Sequence, residues 1–572
     1  MSRARTLAGP ALHRARRYAR GDLGADLLAA VIVTIMLIPQ SLAYAMLAGL
    51  PPQVGLYASI LPLLAYALLG TSRTLAVGPV AIVSLMTAAA IGQIGVAGGP
   101  QHLAAAAMLA LMSGAMLLAM GALRLGFIAN FLSHPVISGF ITAAGLLIAA
   151  SQIRHLLGTS GGGTTLPQIA AALLREAGAV NPVTLATGAA VLSFLIWSRR
   201  GLPAVLARAG LPRRASAIAA KAAPIAAVAA TIALAEALDF AARGVALVGA
   251  IPQGLPPLAL PLLPLELIAA LALPAFLISL IGFVESVSVA QTLAARRRQR
   301  IEPNRELIGL GAANLAAGLS SGYPVTGGLA RSAVNFDAGA QTQAAGGFTA
   351  AGIALAALFL TPYLGALPQA TLAAIIIVAV LSLVDLPAIA RVFAYSRSDF
   401  AAMAATMVLT LLAGVEWGLI AGVTLSLLLY LYRTSKPHIA VVGQVPQTEH
   451  YRNIDRHKVL TSPNVLSIRI DESLYFANSR YLEDRIAALV AERPALRHVV
   501  LMCSAVNFID ASALESLEEI NRRLGEAAIR LHLSEVKGPV MDRLARTDFL
   551  THLSGEVFLS QHEACRHCGA AI

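Results

Sequence analysis

Two short stretches of this chain set polar groups inside long apolar runs. The first is Ile38-Pro39-Gln40-Ser41-Leu42-Ala43-Tyr44 and the second is Phe283-Val284-Glu285-Ser286-Val287-Ser288. An amide or carboxyl group followed by a serine near the middle of an apolar span is costly in lipid, so such residues mark ligand or ion pathways. Each stretch is followed by a short segment broken by Gly or Pro: Gly78-Pro79 lies 38 residues after Gln40, and Gly328 lies 43 residues after Glu285. Corresponding interrupted segments in two halves of a chain are the signature of an inverted-repeat transporter with a midplane site. A helix that begins inside the membrane presents free backbone N–H groups and the positive end of its dipole, and both attract an anion. The expected helix starts are Pro79-Val80 and Leu329-Ala330. Arg331 adds a basic side chain at the second start; facing an anion it completes a site, and the alternatives are a pair with Glu285 or Asp337, or a reach to the interface. Glu285 reads as a protonatable or cation-coupling group, or else as a structural partner of Arg331 or of a backbone amide. Gln40 and Tyr44 rest on their place in this constellation, the alternatives being an interhelical amide contact and simple packing.

The elements that must carry these residues are membrane helices. Of 572 residues 57% are hydrophobic and 13% charged, against roughly 25% charged in an average soluble domain. That excludes an ordinary water-soluble enzyme. The apolar residues come in blocks of about 20, enough to cross a hydrocarbon core about 30 Å thick, which excludes a disordered chain. Fourteen apolar segments centre near residues 36, 60, 84, 110, 140, 190, 228, 277, 313, 335, 353, 377, 406 and 424, so two repeats of seven spans are expected. Starting from an inside N-terminus, the loops assigned to the cytoplasm hold the six N-terminal arginines, Arg73, Arg124, the cluster Arg199 to Lys221, the run Arg296 to Arg305, Arg391, Arg397, Arg433 and Lys436. The outer loops hold only Arg154, Arg175 and Arg243. This bias puts both termini inside. The first apolar run, Leu27 to Leu50, lacks a cleavage site and reads as a retained helix.

The composition changes after Pro437. Residues 1–436 carry 27 Lys+Arg against 13 Asp+Glu, and residues 437–572 carry 15 against 17. The basic surplus therefore belongs to the membrane part, where it sets topology, and nucleic acid is not an expected partner. In the C-terminal part the pattern predicts strands at Val465 to Ile470, His498 to Cys503 and Arg530 to Leu533, and helices at Arg480 to Val490 and Ala513 to Leu524, an α/β domain. Asp510 or Ser512 would cap the helix near Ala513. The three cysteines, Cys503, Cys565 and Cys568, cannot form a disulfide framework. The tail His562-Glu563-Ala564-Cys565-Arg566-His567-Cys568 offers a lone CxxC, short of the four ligands of a structural zinc site, and no metal is assigned. Gly161-Gly162-Gly163 lacks the lysine and the preceding strand of a phosphate cradle.

Three long motifs resemble the sulfate permease (SulP) family, whose animal members form solute carrier family 26. They are PQSLAYAMLAGLPPQVGLYASILPLLAYALLGTSRTLAVGPVAIVSLM (Pro39 to Met86), FVESVSVAQTLAARR (Phe283 to Arg297) and YPVTGGLARSAVNFDAGAQTQ (Tyr323 to Gln343). The resemblance implies an all-α polytopic membrane domain, a seven-plus-seven inverted repeat with core and gate parts, and elevator-like motion. It implies an anion site lined by Gln40 and Tyr44 from the first span, Val80 and Ala81 from the third, and Leu329, Ala330 and Arg331 from the tenth. Many relatives have serine at the Ala330 position, so one anion donor is missing here. Glu285 matches the acidic position of proton-coupled members. Phe508-Ile509-Asp510-Ala511-Ser512-Ala513-Leu514 resembles the strand-loop-helix motif of STAS domains, with Ser512 where bacterial antagonists carry a phosphorylatable serine. A homodimer and a cytoplasmic partner for this domain are further implications.

The expected organisation is a basic cytoplasmic N-terminus (1–24), a transmembrane anion-transport domain (25–436), a small cytoplasmic α/β STAS domain (437–560) and a Cys/His-containing tail (561–572). The expected activity is secondary active transport of a small anion across the bacterial cytoplasmic membrane, coupled to protons rather than sodium. No enzymatic step and no cofactor are expected. Sulfate is the first substrate, with bicarbonate, chloride or a C4-dicarboxylate as alternatives. Rival readings are a nucleobase:cation symporter, an anion channel, and an anion sensor that signals through the STAS domain.

Overall fold

The computed structural model describes residues 20–95, 99–131, 133–210, 212, 216 and 220–569. Residues 1–19, with most of the N-terminal arginines, and Arg213 and Arg214 of the basic cluster lie outside the described residues. The chain forms two compact units, divided between Ser426 and Leu427. That division falls inside a long helix, earlier than the composition change at Pro437.

The first unit is helical and its two halves repeat one order of elements. The first half runs α1 (Arg20–Leu47), α2 (Gln53–Tyr57), α3 (Leu61–Leu69), β1 (Val77–Gly78), α4 (Ala81–Gln93), α5 (Gly99–Ala122), α6 (His134–Leu157), α7 (Leu166–Arg175), α8 (Pro182–Arg208) and α9 (Ala223–Ala237). The second runs α10 (Leu265–Ala270), α11 (Ala272–Arg296), α12 (Pro303–Leu319), β2 (Thr326–Gly327), α13 (Leu329–Ala338), α14 (Ala344–Phe359), α15 (Gln369–Leu381), α16 (Leu386–Tyr395), α17 (Arg397–Leu412) and α18 (Val415–Ser435). In each half a long helix and a further apolar segment precede a two-residue strand and a short helix. Among the described residues seven helices are long and apolar enough to cross a bilayer. Thirteen of the fourteen apolar centres fall within a helix, and the one near residue 60 falls at the junction of α2 and α3. The short helices α7, α10 and α16 are additions that the hydropathy pattern did not single out.

The two short strands pair with each other. Val77 pairs with Gly327 and Gly78 with Thr326, antiparallel, which brings the repeats together where their short helices begin. Buried polar groups hold this crossover, as they must where no water can replace a lost hydrogen bond. Asn314 on α12 bonds the backbone of Val325 in both directions, its amide donating to the carbonyl and its Oδ1 accepting from the N–H, each at 2.9 Å. Gly327 N–H donates to Ser286 Oγ at 2.9 Å. Thr326 Oγ1 donates to the Gly282 carbonyl at 2.6 Å, so its single proton is committed and Ser286 is the donor in the 2.6 Å bond between the two hydroxyls. On the other side Ala76 N–H donates to Ser332 Oγ at 3.0 Å, and Asn335 Nδ2 to the Thr74 carbonyl at 3.0 Å.

Two buried carboxylates fix the approaches. Glu306 on α12 accepts from Tyr66 OH at 2.6 Å, from the N–H groups of Thr71 and Ser72 at 2.8 and 3.1 Å, and from the Thr71 hydroxyl. Asp26 on α1 accepts from the N–H groups of Gln341 and Thr342 at 2.6 and 3.1 Å. Arg297, just past α11, donates to the carbonyls of Ala340 and Phe336 and so compensates the negative end of α13.

The second unit holds a six-stranded sheet in the order β4-β3-β5-β6-β7-β8, with β3 (Ile439–Gln444), β4 (Tyr451–Asn453), β5 (Val465–Ile470), β6 (His498–Met502), β7 (Arg530–Ser534) and β8 (Val557–Phe558). β5 to β8 are parallel and β3 is antiparallel to both its neighbours. Parallel neighbours need helical crossovers. These are α19 (Ser479–Ala491), α20 (Ala511–Glu526), α21 (Gly538–Leu544) and α22 (Phe549–His552), and α23 (Gln561–His567) follows β8. Leu466, Ile468 and Ile470 of β5 meet Leu482, Ile486, Ala513 and Leu517 in the main core. Residues 561–567, expected as a separate tail, instead form α23. It packs on β6, β7 and β8 with Ala564 and Cys565 buried, because an amphipathic turn closes that end of the sheet.

Candidate functional site

The site forms where α1, α4, α11 and α13 meet; α1 and α11 each touch both α4 and α13. α4 begins after Val80 and α13 after Gly328, and both preceding residues are extended, with no side chain capping the free N–H groups. The two starts are in contact: a Cβ added to Gly328 would lie 3.2 Å from Val80 Cγ1. Each start carries the equivalent of roughly half a positive charge. Val80 and Ala81 are buried, whereas Leu329 is 45% exposed and Ala330 is exposed as well. The approach to the site is therefore on the α13 side.

Arg331 is 2% exposed. Its guanidinium lies against backbone rather than a carboxylate. Cβ atoms placed on Gly78 and Gly328 would come within 2.9 Å of Nη1 and 3.0 Å of Nη2, so any larger residue at either position would displace it. Nη2 makes one long 3.5 Å bond to the Thr326 carbonyl, and Nη1 has no partner. Among the described residues no ion pair joins Arg331 to Glu285 or Asp337. Asp337 is bound to Lys221 at 2.9 Å instead. The alternative of a structural pair with either carboxylate is thus not what the structure contains.

Glu285 sits on α11 with Oε2 buried and unpartnered. Beside it is a cavity of ≈ 20 Å³ lined by Val136, Phe140, Ile281 and Leu419, room for about one water. Tyr44 and Glu285 both lie within electrostatic reach of Arg331. Gln40 is buried one turn before Tyr44 on α1. Six of the seven expected substrate residues and Glu285 lie on these four helices, and the seventh, Val80, immediately precedes α4.

Tyr323 and Ser84 were not singled out from the sequence. Tyr323 is fully buried within electrostatic reach of Arg331. Ser84 Oγ donates to the Val80 carbonyl at 2.8 Å, which makes Tyr323 the donor in their 3.1 Å bond. The available signal was a hydroxyl one turn into an apolar half-helix.

In the second unit Asp510 is the cap of α20, accepting from Ala513 N–H at 2.8 Å and from Phe476 N–H at 2.9 Å. The helix starts at Ala511, two residues earlier than expected, and Ser512 is exposed in its first turn. The two tail cysteines part company. Cys565 contacts Ser467 and Gln561, and Cys568 lies with His498 and His532, their ligating atoms within 4.8 Å of one another. His532 Nδ1 accepts from Glu556 N–H at 3.0 Å, so the proton of the neutral ring sits on Nε2, directed at His498 Nδ1 at 3.1 Å. That arrangement spends both His532 nitrogens on hydrogen bonds. Burial, with His498, His567 and Arg530 nearby, pushes the pKa of His532 down to about 4, and burial pushes the Cys568 thiol up to about 11. In the 161–163 loop the Glu176 carboxylate takes the Ser160 and Gly161 N–H groups.

A helical membrane unit with two paired half-helix starts, followed by an α/β unit, defines a class of anion transporters. Residues 23–406 match the sulfate permease family and residues 457–564 match the STAS domain, and the chain belongs to the sulfate permease family. It is similar to "Sulfate transporter 4.1, chloroplastic" of Arabidopsis thaliana, at 36% identity over 556 residues, covering 95% of this chain and 80% of that protein. It is also similar to a probable sulfate transporter of Mycobacterium tuberculosis, strain CDC 1551 / Oshkosh, at 34% identity, covering 95% and 94% of the two chains. The fold matches that of the murine Solute Carrier 26 family member A9 anion transporter in the inward-facing state, with TM-score 0.89 and 23% identity, over 100% of this chain and 95% of that one. The transmembrane domain of the cyanobacterial bicarbonate transporter BicA matches with TM-score 0.60 and 22% identity, over 71% of this chain and 98% of that one.

Proposed function

We propose that this protein is a secondary active transporter that moves sulfate together with a proton across the bacterial cytoplasmic membrane by elevator-like alternating access. The observation that carries the reading is the pair of buried, unsatisfied charged atoms, Arg331 Nη1 and Glu285 Oε2, beside two uncapped helix starts. Buried polar atoms normally have partners. Here an anion supplies the partner for Arg331 and a proton the partner for Glu285.

In this mechanism the anion loses its water and gains the N–H groups at Ala81 and Leu329, the two dipoles and the Arg331 guanidinium. Gln40 and Tyr44 close the α1 side. A proton on Glu285 offsets the charge of the substrate while the site crosses the membrane. Glu285 without its proton resists crossing, which couples the two fluxes. Both termini lie in the cytoplasm in this reading, the domain after Pro437 being cytoplasmic, and the protein works as a dimer. The relatives named as sulfate transporters support sulfate as the substrate.

The test is uptake of radiolabelled sulfate into proteoliposomes with and without an inward proton gradient, with unlabelled bicarbonate, chloride and fumarate as competitors. Gradient-stimulated, saturable sulfate uptake is the expected result. Flux of another anion with none of sulfate would overturn the substrate, and binding without flux of any of them would turn the protein into a sensor.

A further inference from the structure

The sheet of the C-terminal unit comes apart near one edge. β3 and β5 pair from Ile439 and Ile470 to Val441 and Ile468. Beyond that point Gln444 pairs with Leu460 and Val465 with Ser462, because the loop that ends in Pro463 wedges between the strands. The gap is a cavity of ≈ 420 Å³, within the range of about 300–1,000 Å³ typical of small-molecule sites. Its walls are apolar along Val441, Val442, Ile454, Leu460 and Leu466.

Its polar side chains are neutral but for one: Gln444, Tyr451, Thr461, Ser462, Ser467 and Cys565 line it with Arg493. Tyr451 is 6% exposed, and its buried hydroxyl has the Cys565 thiol, a weak partner, beside it and no well-formed hydrogen bond, although a buried phenol normally finds one. Arg493 is the one cation among the lining residues, and no carboxylate lines the cavity. Arg493 Nη1 donates to the Leu489 carbonyl at 2.8 Å and lies 3.7 Å from the exposed Glu492 carboxylate. No helix N-terminus contributes to the wall, which leaves a polyphosphate without compensation for most of its charge.

We propose that this cavity binds a small organic monoanion with an apolar body, such as an aromatic carboxylate, whose body lies between the parted strands and whose polar contacts are the Tyr451 hydroxyl and the Arg493 guanidinium. The site lies wholly within the C-terminal unit.

The experiment is equilibrium binding of 2-naphthoate to the full-length protein in lipid nanodiscs, with empty nanodiscs as the partition control and 2-naphthamide and inorganic phosphate as comparison probes. Saturable binding of 2-naphthoate above the control is expected, with no competition by phosphate. The neutral amide and the Arg493→Ala variant should each bind about tenfold more weakly, the value of one charge-assisted hydrogen bond. Leu460→Trp, made at a 46% exposed position at the mouth, should block the cavity without disturbing the core. Tyr451→Phe should weaken binding about fivefold. The proposal is overturned by binding no greater than to empty nanodiscs, by binding indifferent to Leu460→Trp and Arg493→Ala, or by a Tyr451→Phe variant that binds normally.

Discussion

The two half-helices at the centre of the membrane unit share a backbone geometry at their starts and differ in the side chains they carry there. α4 and α13 both follow an uncapped extended residue, and their leading strands pair with each other. Yet α4 opens with the buried, uncharged sequence Val80-Ala81-Ile82, whereas α13 opens at an exposed edge and carries Arg331. The long helices that precede them differ in the same way, α1 bringing the amide of Gln40 and α11 the carboxyl of Glu285. The backbone repeat supplies a symmetric field for an anion. The side chains break that symmetry, since Glu285 and Arg331 both lie in the second half; the proposed mechanism assigns charge selection and proton coupling to that half.

Removing the carboxyl should have the largest consequence. Glu285→Gln should abolish stimulation of sulfate uptake by an inward proton gradient while leaving sulfate affinity within about threefold, because the amide keeps the shape but cannot take up a charge-compensating proton. Stimulation that survives would move coupling out of the second half. Next is the guanidinium: Arg331→Ala should weaken sulfate binding about 30-fold or more, the cost of truncating one partner of a buried charged contact. Its counterpart Val80→Ala should change affinity less than about threefold, since α4 contributes backbone only. Equal losses at both positions would contradict the division of labour. Gly328→Val should cost about tenfold in uptake, because a Cβ there already lies 3.0 Å from Arg331 Nη2 and forces the guanidinium aside. Smallest in transport is Ser286→Ala. It strands the buried Gly327 N–H and should destabilise the membrane unit by about 1–3 kcal/mol, seen as a lower melting temperature with near-normal sulfate affinity.

The sequence made the helices legible for a physical reason. Lipid demands long apolar stretches, so hydropathy locates them, and the polar residues that violate the rule, Gln40, Glu285 and Arg331, declare themselves. The crossover that unites the site was not legible. β1 and β2 are two residues each, too short to alternate, and their partners lie in different halves of the chain. Ser84 was passed over because hydroxyls are tolerated in membrane helices, and Tyr323, in the segment between α12 and β2, carries no charge to flag it. In the C-terminal unit the central strands β5, β6 and β7 follow from their buried apolar runs, whereas β3, β4 and β8 at the two edges do not. The tail was set apart on its CxxC pair with no metal assigned, and its fold was not legible because so short a helix carries no periodicity; the α23 helix turns Cys565 toward Gln561 and Ser467, and Cys568 toward His498 and His532.

The most direct test of the central claim is to locate the anion. Selenate has the charge and tetrahedral shape of sulfate, and selenium scatters anomalously, so crystals of transport-competent protein soaked in selenate would show where it binds. The expected result is a single strong anomalous peak between the backbone N–H groups that open α4 and α13, beside Arg331 Nη1, and its loss in Arg331→Ala. A peak elsewhere in the membrane unit, or an unchanged peak in the variant, would contradict the account.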